Sequence, residues 1–258
     1  MKANKRDLIL ESIIRAYLNE NEPIGSQELG LNLSIPASTI RVYFKQLSSE
    51  GAITQLHISG GRMPTQSAMQ FFWQTSLDLQ RRFEVSHAEN LAALAQDFGL
   101  YCLVFKPYEL ILRQILKLDE RFLLLDFGDE CISIKFNAKV ERFLQNLLGV
   151  HLNELEDISI QVGLSELRRK IFEFKNSQIL FRFNEEIALQ SCKRLKISEI
   201  LSPHLSEFFQ MPIAFSPLFE SGFMGVATDI LFEGEVSKMV VSGGIFANYE
   251  KFFDTLCA

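Results

Sequence analysis

Chain-breaking residues divide the first 80 positions into short helices, and this constrains the fold more than any other feature. The stretch "KRDLILESIIRAYLNE" carries two adjacent i, i+4 apolar rows, which predict a helix with a broad buried stripe. Pro23 ends that helix, and Ser26 is a candidate N-cap for a short second one. Pro36 suits the first turn of a third helix, and Gly51 suits its C-terminal end. The sequence therefore predicts three consecutive helices.

A hairpin is predicted to follow the third helix. The segment "AITQLHI" has the composition of a strand, and Gly60 and Gly61 suit the positive φ angles of a tight hairpin turn. A short return then runs from Arg62 to Pro64. Three helices followed by a hairpin make a winged helix-turn-helix, which we predict for residues 1–80.

The third helix has two separate faces. Ile40, Phe44 and Leu47 lie at i, i+4 and i+7, which predicts that they are buried. At roughly 100° per residue, a polar face centred about 120° away contains Ser38, Arg41, Lys45 and Ser48. Hydroxyl and cationic side chains of this kind contact phosphates and base edges in a DNA major groove. The alternative is an ordinary solvated face. The turn before the helix and the hairpin after it favour DNA reading.

The charge distribution agrees with two unlike domains. The whole chain has a net charge of −6. Residues 1–82 contain nine Lys/Arg and seven Asp/Glu, a net charge of +2, whereas the remainder contains 17 and 25, a net charge of −8. A mildly basic N-terminal module is thus attached to an acidic one.

The hairpin offers further candidate contacts with DNA. An arginine at its tip, Arg62, can reach the sugar–phosphate backbone or the narrow minor groove. Gly60 and Gly61 allow a close approach of the backbone to a phosphate. For His57, a neutral strand residue packed near the hairpin is an equal alternative.

Three motifs resemble those of one family. "EPIGS" at 22–26, "STIR" at 38–41 and "HISGGRMPT" at 57–65 are similar to the EPVGS, ATIR and H-x-S-A-G-R-x-P-T signatures of the heat-inducible transcription repressor HrcA family. The resemblance implies an N-terminal domain that binds an inverted-repeat operator upstream of chaperone genes. It adds DNA-binding roles for Ser26, Thr39, Arg41, His57, Ser59, Gly61, Arg62 and Pro64. After the hairpin the family has an arginine where this chain has Gln70.

Residues 85–258 predict an antiparallel α+β domain, with strand-like segments separated by short turns and flanked by helices. The resemblance implies that this is a GAF-like regulatory and dimerisation domain, interrupted by a shortened dimerisation insert somewhere in 150–210. Near the C-terminus the family has an arginine where this chain has Phe246, for which we expect packing in the core.

No catalytic or metal site is predicted. The four histidines and four cysteines lack metal-ligand spacing, and no P-loop, G-x-G-x-x-G after a strand or G-x-S-x-G is present. The acidic turn "DFGDE" at 126–130 is typical of a hairpin. Dispersed cysteines favour free thiols in a reducing cytoplasm, and no apolar run approaches the length of a membrane span. We expect no cofactor and no enzymatic activity.

The resulting interpretation is a homodimeric, cytoplasmic, DNA-binding repressor of heat-shock chaperone operons. By the family resemblance, it depends on the GroEL chaperonin to remain active. The alternative is a winged-helix repressor controlled by a small molecule in the GAF-like domain. An enzyme with an unrecognised site is a weaker third possibility.

Overall fold

A computed structural model describes residues 5–55, 57 and 60–257. Its N-terminal part contains three helices and two short antiparallel strands: α1 Lys5–Glu20, α2 Ser26–Leu33, α3 Ala37–Ser49, β1 Ile53–Thr54 and β2 Met63–Pro64. The order of elements is the one predicted. We call the hairpin of residues 53–64 the wing.

A small apolar core holds these elements together. Ile9 and Ile13 of α1 pack with the predicted buried row of α3 and with Ile53 of the wing. Gly51 follows α3 with a φ of +72°, as expected for a C-terminal glycine. The prediction of Ser26 as an N-cap is wrong: Gly25 occupies the N-cap position, and Ser26 is the first residue of α2.

Helix α4, Gln66–Ser76, leads out of the wing. Thr65 caps it, since its hydroxyl accepts a hydrogen bond from the Ala68 backbone at 3.3 Å. The same hydroxyl donates to the Gly51 carbonyl at 2.7 Å. Thr65 therefore ties the start of α4 to the end of α3.

The C-terminal part is built on a six-stranded sheet. Its strands are β3 Glu84–Val85, β4 Leu100–Phe105, β8 Ile179–Phe183, β9 Ile213–Ala214, β10 Phe223–Phe232 and β11 Glu235–Gly244. Their order is β3-β10-β11-β4-β8, and β9 pairs with β10. All pairs are antiparallel except β3 with β10, which confirms the α+β class.

Helices cover this sheet. They are α5 Ala88–Phe98, α9 Glu185–Ser191, α10 Ile197–Ile200, a 3₁₀ helix Pro203–Phe208 and α11 Tyr249–Thr255. In the part of the chain that the structure describes, every helix is too short or too polar to cross a bilayer.

Residues 106–178, between β4 and β8, form a second unit with its own core. It contains the meander β5 Gln114–Leu118, β6 Phe122–Asp126 and β7 Cys131–Lys135, followed by α6 Ala138–Gln145, α7 Leu152–Gln161 and α8 Ser165–Ser177. The insert predicted in 150–210 overlaps only the last part of this unit. Its role in dimerisation stays a prediction.

A buried charged cluster joins the second unit to the main sheet domain. Lys175 of α8 is 1% exposed. Its Nζ lies 2.7 Å from a Glu156 carboxylate oxygen, without hydrogen-bond geometry, and 3.3 Å from Glu207 of the 3₁₀ helix. His204 Nδ1 lies 2.8 Å from the other Glu207 oxygen. Two carboxylates thus surround one buried ammonium group, as burial of a charge requires.

Candidate nucleic-acid interface

The predicted polar face of α3 is open to solvent. Ser38, Arg41, Lys45 and Ser48 are exposed, and Thr39 is half-buried. The opposite row, Ile40, Phe44 and Leu47, is buried in the small core. Burial of this row fixes the rotation of α3 about its axis, so the polar side chains form one continuous surface.

The turn before α3 brings Ser26 and Arg41 together. Arg41 Nε donates a hydrogen bond of 3.2 Å to the Ser26 hydroxyl. Helices α2 and α3 pack closely because Gly30 has no side chain: a Cβ there would lie 2.7 Å from the Ile35 carbonyl oxygen. Two of the predicted site residues therefore meet, and Ser26 positions the Arg41 side chain.

Gly61 has a different role from the one predicted. Gly61 does not adopt positive φ, so the prediction of a positive-φ turn residue at this position is wrong. A Cβ on Gly61 would lie 2.4 Å from the Pro23 carbonyl oxygen. Only glycine fits at this position because the wing backbone crosses the α1–α2 connection here. The close approach is therefore to protein backbone and not to a DNA phosphate, as was predicted.

Arg62 lies at the base of the wing, which corrects the prediction that it occupies the tip. Its backbone exchanges hydrogen bonds of 2.8 and 3.0 Å with Ile24, in the α1–α2 connection. Its guanidinium carbon is 5.8 Å from the centroid of the Phe44 ring on α3. Arg62 Nε is buried and has no hydrogen-bond partner in the described part of the chain. The side chain is held at the junction of the wing and α3.

The other predicted site residues of the wing differ in exposure. His57 is exposed, which favours a surface position over the packed alternative. Pro64 is buried opposite Ile53 in the β1–β2 pair, so it stabilises the wing instead of presenting a contact surface. Ser59 lies outside the described residues.

Sequence reasoning missed Val42. This side chain lies on the exposed side of α3 and is 64% exposed. The face was defined from its polar residues alone, so an apolar residue on the exposed side of the helix was not included. Its angular position, about 200° from Ile40, was the signal that could have identified it.

The local charges favour an anionic partner. Glu50, at the end of α3, is paired with Arg6 of α1 at 3.0 and 2.5 Å. The hydrogen bond from Arg6 lowers the pKa of this carboxyl, which keeps it ionised and neutralised. Arg41 and Lys45 form no ion pair with any described residue. Their charges remain available to a ligand.

Helix α1 also contacts the C-terminal domain. Arg15 forms an ion pair with Glu250, and the rings of Tyr17 and Phe246 meet edge to face at 5.5 Å. Asn248 Nδ2 reaches the Asn19 side chain at 3.3 Å. Phe246 is half-buried and packs against the main core, which confirms the expected packing role. The loop before α11 thus holds the end of α1, next to the α1–α2 connection.

Helix α4 makes the second link between the two parts. Trp73 is fully buried, and its indole nitrogen donates a hydrogen bond of 2.8 Å to the Ile245 carbonyl. Its ring contacts Tyr249 edge to face at 5.5 Å. Gln70, at the family's arginine position, is half-buried on the same helix. The N-terminal helices and the wing are therefore packed onto the sheet domain through α1 and α4.

Comparison with known proteins identifies the family. The family model described as the HrcA C-terminal domain matches residues 73–258. The chain belongs to the HrcA family.

Curated HrcA relatives match nearly the whole chain. A heat-inducible transcription repressor HrcA of Helicobacter pylori strain J99 is 34% identical over 98% of this chain and 94% of its own length. The HrcA of H. pylori strain 26695 is 32% identical over the same shares. A solved structure of a hypothetical protein is 20% identical, covers 98% of this chain and 94% of its own, and has a TM-score of 0.46. The HrcA assignment rests on the sequence matches.

Proposed function

We propose that this HrcA-family protein is a DNA-binding repressor of heat-shock chaperone operons that reads an inverted-repeat operator as a homodimer. The observation that carries the proposal is the exposed row Ser38, Arg41 and Lys45 on α3 beside a wing fixed by Gly61 and Arg62. A chromosomal operator implies a cytoplasmic protein, and the role requires no enzymatic chemistry.

In the proposed complex, α3 enters the major groove and the wing lies over the adjacent backbone. Arg41, oriented by Ser26, makes a bidentate contact with a guanine edge. Lys45, with Ser38 and Thr39, contacts phosphate and sugar groups, which set the register of the helix on the duplex. His57 and Arg62 contact the backbone beside the groove, where their contribution is mainly electrostatic.

The homodimer is supported by an apolar sheet face in the second unit. Leu116 pairs with Leu124, and Leu118 pairs with Phe122, so all four side chains share one face of the meander. Leu116, Leu118 and Phe122 are each more than 40% exposed, while the opposite face packs on the helices of the unit. We propose that the same face of a second copy covers this surface, in a two-fold interface.

Leu118→Glu tests this interface. The variant should be monomeric by light scattering and should lose tight operator binding, because a dimer gains affinity from two half-sites. Val236→Glu is the control, since Val236 is 71% exposed on β11, outside the meander. A dimeric Leu118→Glu protein would place the interface elsewhere.

Dependence on the GroEL chaperonin is proposed from the family relationship. The apolar meander face and the 23 phenylalanines of the chain are consistent with a protein that aggregates when unfolded. Heated dilute protein should lose operator binding irreversibly, and chaperonin with ATP should restore it. Complete unaided recovery, unchanged by chaperonin, would contradict this part of the proposal.

A second candidate function is supported by a cavity of about 590 Å³ between the second unit and the sheet. The Tyr108 hydroxyl and the Asn153 side-chain oxygen are both buried without a hydrogen-bond partner among the described residues, and both residues line it. A small polar effector that bonded to them would make the protein a ligand-controlled repressor. A thermal-shift screen would distinguish this candidate, because such a ligand raises Tm.

The main proposal is tested on Arg41 and Lys45. Arg41→Ala should weaken operator binding by about 1–3 kcal/mol and scrambled DNA far less, because a base contact is lost. Lys45→Ala should weaken both to a similar degree and reduce the slope of log affinity against log salt by about one. If neither variant changed either affinity, α3 would not be the reading helix.

A further inference from the structure

Val42 is an exposed apolar side chain among the exposed polar side chains of α3. It is 64% exposed, and it lies about 200° around α3 from Ile40, the first residue of the buried row. Ser38, one turn before it, and Lys45, one turn after it, are also exposed. Packing within the described part of the chain leaves most of this side chain in water.

Helix formation does not favour valine at this position. A β-branched side chain loses rotamer freedom in a helix, so Val forms helices less readily than Ala, Lys, Arg or Gln. An exposed position on α3 therefore gains no stability from Val42 in the free protein. Its apolar surface contributes only when a partner covers it.

The major groove of DNA presents one apolar group of suitable size. This group is the C5-methyl of thymine, which aliphatic side chains contact, whereas the other base edges present hydrogen-bond donors and acceptors. The placement of α3 in the groove, which is part of the proposed function and on which this inference rests, turns Val42 toward the bases. We propose that Val42 recognises a thymine in each half-site through its C5-methyl group.

The proposed thymine lies near the base that Arg41 contacts. Adjacent residues of a helix are separated by about 1.5 Å along the axis and 100° around it. Base pairs are about 3.4 Å apart, so the two side chains reach positions about one or two base pairs from each other. Each half-site should therefore contain a guanine and a thymine within the same three base pairs.

Deoxyuridine substitution tests this contact directly, because deoxyuridine pairs as thymine does but lacks the methyl group. Footprinting first locates the site that the protein occupies on a chaperone-gene promoter. Full-length protein is then titrated by fluorescence anisotropy against a duplex of that site. It is then titrated against duplexes in which one thymine at a time is replaced symmetrically in both half-sites. Burial of one methyl group corresponds to about a fourfold change in affinity. One position should therefore lose roughly tenfold or more when both half-sites are changed.

The matching protein change is Val42→Ala, which removes the methyl groups and keeps a good helix former at this position. This variant should bind the unmodified duplex more weakly by a similar factor, and it should be insensitive to deoxyuridine at the sensitive position. Val236→Ala is the control, because Val236 is equally apolar, 71% exposed and located on β11. It should retain the wild-type response to deoxyuridine.

Two results separate failure of this inference from failure of the proposed function. Tight, specific wild-type binding that no deoxyuridine position weakens would overturn the inference alone, as would a Val42→Ala protein that keeps the full deoxyuridine response. Wild-type protein that binds no promoter duplex specifically would overturn the proposed function together with the inference.

Discussion

Gly61 lies so close to Pro23 that a Cβ at position 61 would come within 2.4 Å of the Pro23 carbonyl oxygen. The next residues along each segment, Arg62 and Ile24, exchange two backbone hydrogen bonds. Two motifs almost 40 residues apart in the sequence therefore form one structural junction. This junction fixes the wing against the connection between α1 and α2, and so beside α3.

Gly61→Ala should disrupt the junction. The added methyl group would clash with backbone atoms, which cannot rotate away as a side chain can. The N-terminal module should therefore lose about 1–3 kcal/mol of stability, and operator affinity should fall. Gly244→Ala is the control, since no described atom lies within 4 Å of a Cβ at that position and its φ is not positive. Chemical denaturation and DNA titration of both variants would check this. If the two variants were equally stable, the backbone at the junction would be able to shift away from the added methyl group with little loss of unfolding free energy.

Arg62→Ala should have two separable effects. Loss of the contact with Phe44 should destabilise the module by about 0.5–1 kcal/mol. Loss of the charge should reduce the salt slope of DNA binding by about one. Arg62→Lys keeps the charge but loses the planar guanidinium that contacts Phe44. It should therefore retain the wild-type salt slope of DNA binding. A slope unchanged in Arg62→Ala would mean that this residue only supports the wing.

Trp73→Phe should weaken the link between the N-terminal module and the sheet domain. It removes the hydrogen bond to the Ile245 carbonyl and leaves a cavity in the core, which together should cost about 2–4 kcal/mol. Phe71→Ala on the same helix is the control, because Phe71 is 66% exposed and should change stability by less than about 0.5 kcal/mol. Urea unfolding of the two variants checks the difference; similar losses would contradict the assigned role of Trp73.

The charged cluster between the second unit and the sheet domain should make stability depend on pH. The hydrogen bond to Glu207 raises the pKa of His204 above its ordinary value of 6.5. Burial alone would raise the pKa of Glu207, but the hydrogen bond from His204 and the charge of Lys175 lower it below 4.5. The contribution of His204 is thus complete below pH 6.5 and is lost as pH rises through its raised pKa. That of Glu207 is present above pH 4.5 and is lost as pH falls through its lowered pKa.

His204→Gln isolates the first of these effects. Wild-type urea midpoints should fall as pH increases from about 6 to 8, and the variant should lack most of that fall. The measurement is a set of unfolding curves at several pH values at constant ionic strength. Identical pH dependence in the two proteins would assign the titration to other groups.

The sequence was sufficient to predict the elements whose signals are local. The apolar row of α3 and the glycine after it each depend on residues within one or two turns, and the structure has both. The α+β class followed from strand-like segments with short turns. Local patterns of this kind report burial and backbone geometry directly.

Contacts between residues that are far apart in the chain could not be predicted from local sequence patterns. Gly61 was interpreted as a turn residue because its actual neighbour, Pro23, is distant in the chain. The second unit at 106–178 begins directly after β4, and only the pairing of β4 with β8 reveals it. The exposure of Val42 follows from its position about 200° around α3 from Ile40, which a face defined from polar residues alone does not include.

Reading of an inverted repeat by a dimer is tested most directly by titrating purified protein on a chaperone-gene promoter whose two half-sites are intact or separated by half a helical turn. A dimer that reads the duplex with two α3 helices requires both half-sites on the same face of the DNA. The protein should bind the intact repeat specifically with a Kd of about 10⁻⁸ M or tighter, and after insertion of about five base pairs its affinity should fall close to that for scrambled DNA. Equal affinity for the intact and separated repeats would contradict reading by a dimer.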